Sequence, residues 1–430
     1  DERSLLEVAA VFVDGWTIDA VADVAGLDED RALDLTEALA RHSLVHLDRT
    51  SLGLRPRMLE TIRAFVAERL AARPDATWIR RRHADHYCAL AGRADGPLRG
   101  VSQALRDPGQ DHWVDRLEAE AGNLAATVEW YLANGPARLP HLFRVLWPFW
   151  SQWDHLGEVR AWVERLLPTA GSFDPQARAE LLWTAAATAR EVGDDPTALA
   201  ARRRLEPLLD GIRDPYLRAA ARLIMAWTSN MVGDFERASR EADASLEEFR
   251  GQDELLGTAS AALTLGSLET ILGRYDDALR HLREGNDLAE RFGNPWLSAT
   301  SRAQLGTLAL MRGRLDEARG LFDEGLDQSL AAHSTQLVSL CLAGFARLAW
   351  MEGDADRAAL LAGAADGLRR RVGLQAWPMI RRGEVELATQ IREALGAERF
   401  AEVFGAGTRL DRREAVDAAH GVRAAGSRAR

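Results

Sequence analysis

The chain has 430 residues, 47% of them hydrophobic, and a formal net charge of −11, enough apolar matter for several cores in on the order of two to four domains or one extended array. All 54 basic residues are arginine, which excludes Schiff-base lysines and a phosphate-cradling GKS or GKT loop, and the acidic balance argues against a nucleic-acid footprint for the chain as a whole. The two cysteines, Cys88 and Cys341, are too far apart to read as a disulfide framework, and no apolar run approaches the ~20 residues that span a bilayer, so a soluble, cytoplasmic protein is expected.

The chain opens at Asp1 inside what reads as a helix, so it is expected to be a piece of a longer polypeptide. Three helical patterns follow: one through Phe12 that ends at Asp14 and Gly15, a second after Thr17, and a third after Asp28 as N-cap. SLVHLDRTSLGLRPRML then reads as a β-hairpin with a polar tip at Asp48 to Ser51, and Pro56 confines its second strand to an edge. Three helices and a hairpin make a winged helix, placed at residues 1–70. Its third helix sets Asp30, Asp34 and Glu37 against Arg31 and Arg41, a balance that disfavours DNA phosphates and favours a packing module.

Residues 71–170 read as a helical connector. HADHYC offers His83, His86 and Cys88, but Cys88 points away from the face the histidines share, so helix packing rather than metal binding is expected. Trp147, Trp150 and Trp153 form a stripe down one helix and read as a hydrophobic seam, with Trp162 and Trp183 further on. Acid pairs such as Glu118 with Glu120, and Asp276 with Asp277, sit in solvated helical patterns without a partner nucleophile. The triplets Arg80 to Arg82 and Arg369 to Arg371 read as solvated helix ends.

Over residues 171–370 one pattern returns five times. Gly193, Gly233, Gly273, Gly313 and Gly353 stand 40 residues apart; seven positions before each comes Ala186, Ala226, Gly266, Gly306 or Ala346, and five after each comes Ala198, Ala238, Ala278, Ala318 or Ala358. Such a unit is a helix, a glycine turn and a second helix, packed closely through small residues. The spacing resembles the tetratricopeptide signature, lengthened by six residues. Stacked units imply a right-handed α-solenoid with a concave inner wall. By that pattern the first helix of each pair supplies the wall, which places Trp183, Arg190, Trp227, Asn230, Thr270, Thr307, Leu310, Arg347 and Trp350 there as candidate ligand or partner contacts. Met231, Ile271, Met311 and Met351 end the same helices in register and are expected to fill core.

Residues 371–430 read as capping helices and a disordered tail, GVRAAGSRAR. The fold class expected is therefore mainly α: a winged helix with a small hairpin, then the solenoid.

VFVDGWT, RHSLV and RMLETIRAFVAERL resemble the winged helix that follows the nucleotide-binding module of bacterial STAND regulators, signal-transduction ATPases with an NB-ARC-like core found in AfsR-like and LuxR-type proteins. RRRHADHYCALA, RLEAEAGNLAATVEW, FWSQWDHLGEVRAWVERLLP, RAALLAGAADGLR and GAGTRLDRREAVDAA match the same family, and the long repeats are similar to MalT-like sensor arrays. The chain departs from the pattern at Ala125, where arginine is common, and at Trp153 and Asp154, where an Arg-Gly pair is usual.

The resemblance implies a non-catalytic sensor and relay region. An upstream ATPase domain of the same polypeptide, absent from this sequence, would bind ATP and Mg²⁺, the winged helix would couple its state, and the repeats would bind a protein, peptide or small-molecule inducer. No cofactor or metal is expected in this chain. Ligand-dependent oligomerisation stays open, and so does the alternative that the winged helix acts directly as a DNA-binding module in transcription regulation.

Overall fold

A computed structural model describes residues 1–100, 110–152, 155–332, 334–376 and 378–421. The chain divides into two compact units, Asp1–Phe149 with Glu164–Phe173, and Trp150–Val163 with Asp174–Arg430. Trp153 of the expected tryptophan seam, and the tail beyond Gly421, lie outside the described residues.

The first unit begins with α1 (Glu2–Ala9), α2 (Ile18–Ala25) and α3 (Glu29–Arg41), followed by β1 (His46–Thr50) and β2 (Gly53–Arg57). This is the element order of a winged helix. The Asp28 carboxylate accepts from the Arg31 N–H at 2.8 Å and so caps α3 as its sequence predicts. The strands pair antiparallel from His46 opposite Arg57 to Thr50 opposite Gly53, which puts the turn at Ser51 and Leu52, later than the Asp48 to Ser51 tip read from the sequence.

The first helix also stops short of Phe12. Beyond Ala9 the amides of Ala10, Val11 and Phe12 bond three residues back, to Glu7, Val8 and Ala9, and this tighter coil turns the Phe12 ring inward, where it is buried. Asp14 and Gly15 then take positive φ, 62° and 100°, and reverse the chain. A Cβ on Gly15 would sit 2.6 Å from the Pro56 carbonyl oxygen, so this turn closes on β2 only without a side chain.

Helices α4 (Glu60–Ala71), α5 (Ala76–Arg99), α6 (Gln110–Ala119) and α7 (Ala121–Asn134) continue the first unit, and α8 (Leu139–Gln152) and α9 (Leu156–Leu166) are divided between the two. Trp147, Trp150 and Trp162 are all buried, and the Trp150 and Trp162 rings lie 5.8 Å apart.

The second unit carries five helix pairs: α10 (Pro175–Val192) and α11 (Asp195–Leu205); α12 (Pro215–Met231) and α13 (Phe235–Arg250); α14 (Leu255–Ile271) and α15 (Tyr275–Phe292); α16 (Pro295–Met311) and α17 (Leu315–Ala331); α18 (Thr335–Met351) and α19 (Ala355–Arg371). Then come α20 (Pro378–Leu395), α21 (Ala397–Arg409) and α22 (Arg412–Ala419). The five turn glycines have φ between 71° and 83°, the left-handed region that ends one helix and releases the next. In three repeats the next residue, Asp194, Asp234 or Asp354, caps the second helix. The alanines five positions past the glycine are fully buried.

Small residues at the crossings are a steric necessity. A Cβ on Gly266 would meet the Leu282 side chain at 2.7 Å, and one on Gly306 would meet the Phe322 ring at 2.6 Å. Each of these helices thus touches its partner nearly backbone to side chain; one core cluster joins the third repeat to the fourth, and another joins the fourth to the fifth and to the helices beyond it.

Candidate functional site

Three consecutive first helices carry one ladder of contacts. The Arg190 guanidinium of α10 lies 3.8 Å over the Trp227 ring of α12, and the Trp227 Nε1–H donates to Thr264 Oγ1 of α14 at 3.0 Å. Arg190 also pairs with Glu191. Burial pulls its guanidinium down to about 9, which leaves it charged at neutral pH. Beside the ladder, Asn230 is buried and its Oδ1 finds no hydrogen-bond partner among the described residues.

The remaining candidate wall residues are spread more unevenly than their register suggests. Trp183, Thr270 and Leu310 are buried, and Thr270 spends its hydroxyl on the Gly266 carbonyl of its own helix at 2.8 Å. Thr307 is exposed, while Arg347 and Trp350 are half-buried. Arg347 donates from Nη2 to the Gly383 carbonyl of α20 at 2.9 Å, and burial lowers its pKa. The expectation that Ile271, Met311 and Met351 fill core is overturned: they are 45%, 49% and 44% exposed, and Met231 is half-buried. Each ends its helix at the glycine turn, where the paired helix does not yet cover that edge.

The segment expected to cap the array does more than cap it. Helix α20 packs on α19 and α21, as a cap would, but it also touches α12 and α18, first helices of the second and fifth repeats. Arg381 reaches Asp195 at the start of α11 with Nη1 at 2.8 Å, and the Gln336 side chain of α18 donates to the Gln375 carbonyl at 3.1 Å. Arg369 is buried and donates to both Glu384 oxygens at 3.1 and 2.8 Å, so it is not the solvated helix end its triplet suggested. Arg371 stays exposed, as that reading expects, while donating to the Thr408 and Leu410 carbonyls.

In the first unit the stretches that read as separate packing motifs meet in one buried polar cluster. Arg55 on β2 donates to Glu120 at 2.7 Å, to the Ala119 carbonyl at 2.6 Å and to the Gly15 carbonyl at 3.4 Å. Glu120 also accepts from the Tyr87 hydroxyl at 3.0 Å and from Asn123 Nδ2 at 2.7 Å. The Asn123 amide closes the circuit: Nδ2 donates to the Gly15 carbonyl at 3.0 Å, and Oδ1 accepts from the Val13 N–H at 2.8 Å. Since Oδ1 is the acceptor, the His83 Nε2 at 3.2 Å must carry its proton. Burial holds His83 neutral, with its pKa lowered to about 4, and pushes the Tyr87 hydroxyl up.

Glu120 therefore departs from the solvated pattern expected of it; it is 3% exposed and faces a cation. His86 turns to a different partner from His83, Asp23 at 2.8 Å. Burial raises the thiols of Cys88 and Cys341 to about 11 and about 12, so both are poor nucleophiles. Nothing in the sequence marked Arg55 as a member of the cluster. The signal that could have found it is an arginine directly before Pro56, a pair that the structure buries together on β2.

Among the described residues no helix is long and apolar enough to cross a membrane. No family model matches the chain. Over 170 residues, 39% of its length, it is 34% identical to HTH-type transcriptional regulators of Mycobacterium bovis and Mycobacterium tuberculosis, and the match spans 18% of those proteins. Among solved structures it is similar to a signal transduction ATPase with numerous domains (STAND) bearing a tetratricopeptide repeat sensor, from Pyrococcus horikoshii, with a TM-score of 0.52, 14% identity, and coverage of 94% of this chain and 65% of that one. The helical-repeat fold is shared with that protein. A Rap protein complexed with competence and sporulation factor is also similar, with a TM-score of 0.51 and 13% identity over 76% of this chain and 95% of the other.

Proposed function

We propose that this chain is the sensor and relay portion of a STAND-type regulator, non-catalytic in itself, whose repeats bind a peptide, protein or small inducer on their inner face. The observation that carries this reading is the ladder from Arg190 through Trp227 to Thr264, beside the unpartnered amide oxygen of Asn230. It joins a cation and an indole across successive helices, with a free buried acceptor three residues along the indole's own helix, and tryptophan and arginine are the residue types that most often anchor binding surfaces. The likeness to a protein with a repeat sensor and to a Rap protein complexed with a factor supports a binding role for the repeats. The match to HTH-type transcriptional regulators supports a place in transcription control.

In this reading an upstream nucleotide-binding domain of the same polypeptide, of NB-ARC type, takes ATP and Mg²⁺. The winged helix at residues 1–70 couples its state to the repeats, and the protein works in the cytoplasm. The buried cluster around Glu120 gives that coupling a stiff element, since it ties the hairpin to α5 and α7 through charge-assisted hydrogen bonds.

The test is to pan a random linear peptide library against the wild-type chain and against Trp227→Ala and Asn230→Ala variants. Enrichment that disappears with Trp227 or Asn230, while circular dichroism stays unchanged, is the expected result. Enrichment indifferent to both variants would refute an inner-face sensor.

A further inference from the structure

Helix α20 is held in two different ways along its length. Its second half is core: Leu387 and Ile391 are 3% and 0% exposed and join the cluster built by α18 and α19. That half starts at Glu384, which takes two hydrogen bonds from the buried Arg369. Before Glu384, Ile380 packs at the edge of the same cluster, and the remaining contacts are polar and at half-open positions. Arg381 meets Asp195 with the two side chains 31% and 36% exposed, and the Gly383 carbonyl takes one hydrogen bond from Arg347. Gly383 brings no side chain to the contact and weakens the helix where the two halves meet. The link into this half runs past Gly193, where the Gln375 side chain rests 3.1 Å from the place of a Cβ, and past Gln336.

These contacts are those a bound peptide would make: a main-chain carbonyl offered to an inner-face arginine, and an arginine side chain offered to an acid at a helix start. We infer that the first half of α20, with Leu374 to Ala376 ahead of it, is an internal occupant of the repeats' inner face, and that the partner replacing it is a short helical peptide carrying an arginine for Asp195 and a main-chain carbonyl whose second lone pair is open to Arg347. This rests on the proposed function for the choice of site and adds its regulation. The segment competes with the partner, and the firm second half keeps it tethered at high local concentration. Release exposes Arg347, Asp195 and the neighbouring face of α12 together.

The test uses hydrogen exchange on the full chain, with circular dichroism to confirm folding. Arg381→Glu sets an acid against Asp195 and is expected to speed exchange over residues 378–384 by about fivefold, with 387–395 unchanged. Arg382→Glu is the control, because Arg382 is exposed and pairs with Glu386 on its own helix. The swapped pair Asp195→Arg with Arg381→Asp is expected to restore protection, and Arg381→Gln stands in if the charge reversal fails to fold. A synthetic peptide of residues 374–391 should then bind the Arg381→Glu chain and not the wild type.

Exchange that matches the Arg382→Glu control, that rises evenly through Leu395, or a peptide that binds neither chain would overturn the inference. The outcomes separate the two claims. If the chain's own peptide binds the opened variant while library panning yields nothing dependent on Trp227, the sensor reading fails and the internal occupant stands; the reverse pattern fails the occupant alone.

Discussion

The guanidinium of Arg55 meets the carboxylate of Glu120 at 2.7 Å with both side chains withdrawn from water, 5% and 4% exposed. A pair so placed is costly to desolvate, and it is tolerated because the remaining lone pairs and N–H groups are taken up by Tyr87, Asn123 and three main-chain carbonyls. Removing one partner leaves the other charge stranded. Glu120→Ala is expected to lower the stability of the first unit by about 3 to 5 kcal/mol. Arg55→Met combined with Glu120→Leu should recover most of that loss. Calorimetric unfolding of both variants checks it; equal losses in the single and double variants would mean that packing, not charge, sets the cost.

His83 makes the same cluster sensitive to acid. Its folded pKa of about 4 lies below the ordinary 6.5, so the unfolded chain binds the extra proton first. Stability is therefore full above pH 6.5 and falls as pH drops toward 4, by at most about 3 kcal/mol from this group. Urea midpoints of the wild type and His83→Gln, measured from pH 7 to pH 4, should converge as pH falls. Parallel curves would show that His83 titrates normally.

Local grammar was readable in the sequence and long-range placement was not. The glycine turns, the buried alanines and the Asp28 cap follow from backbone conformation and helix geometry, which act within a few residues. Glu120 and Asn123 could be seen as part of a family stretch, yet their meeting with Arg55 and His83 depends on how α5, α7 and the hairpin converge. Helix α20 shows the same limit more sharply. The segment reads as capping helices, but the meeting of Arg381 with Asp195, 186 residues apart, depends on how five repeats stack. The exposed Met311 and Met351 misled in the opposite direction, because an apolar residue in register reads as core whether or not a neighbour covers it.

The helix crossings can be probed directly. Ala278 is fully buried, and its carbonyl would lie 3.1 Å from a Cβ placed on Gly266. Ala278→Leu, or Gly266→Ala, forces α14 and α15 apart and is expected to cost about 1 to 3 kcal/mol. Gly273→Ala tests the turn instead: nothing lies within 4 Å of a Cβ there, so the penalty comes only from its φ of 75° and should be about 1 kcal/mol. Equal losses at Gly266 and Gly273 in thermal melts would contradict a steric origin at the crossing.

The winged-helix order raises the question of DNA, and α3 supplies a physical answer. Asp28, Glu29, Asp30, Asp34 and Glu37 are exposed on and before this helix, against exposed Arg31 and Arg41, and Arg31 already bonds Asp1 at 2.6 Å. A recognition helix gains affinity by releasing counterions from phosphates, which needs cations at its surface. This chain should accordingly bind duplex DNA no better than about 10⁻⁴ M at physiological salt, the weak end of non-specific association. A fluorescence anisotropy titration at two salt concentrations decides it: tight binding with a steep salt dependence would reassign the first unit as a DNA reader, whereas the surface of α3 predicts a flat response at both.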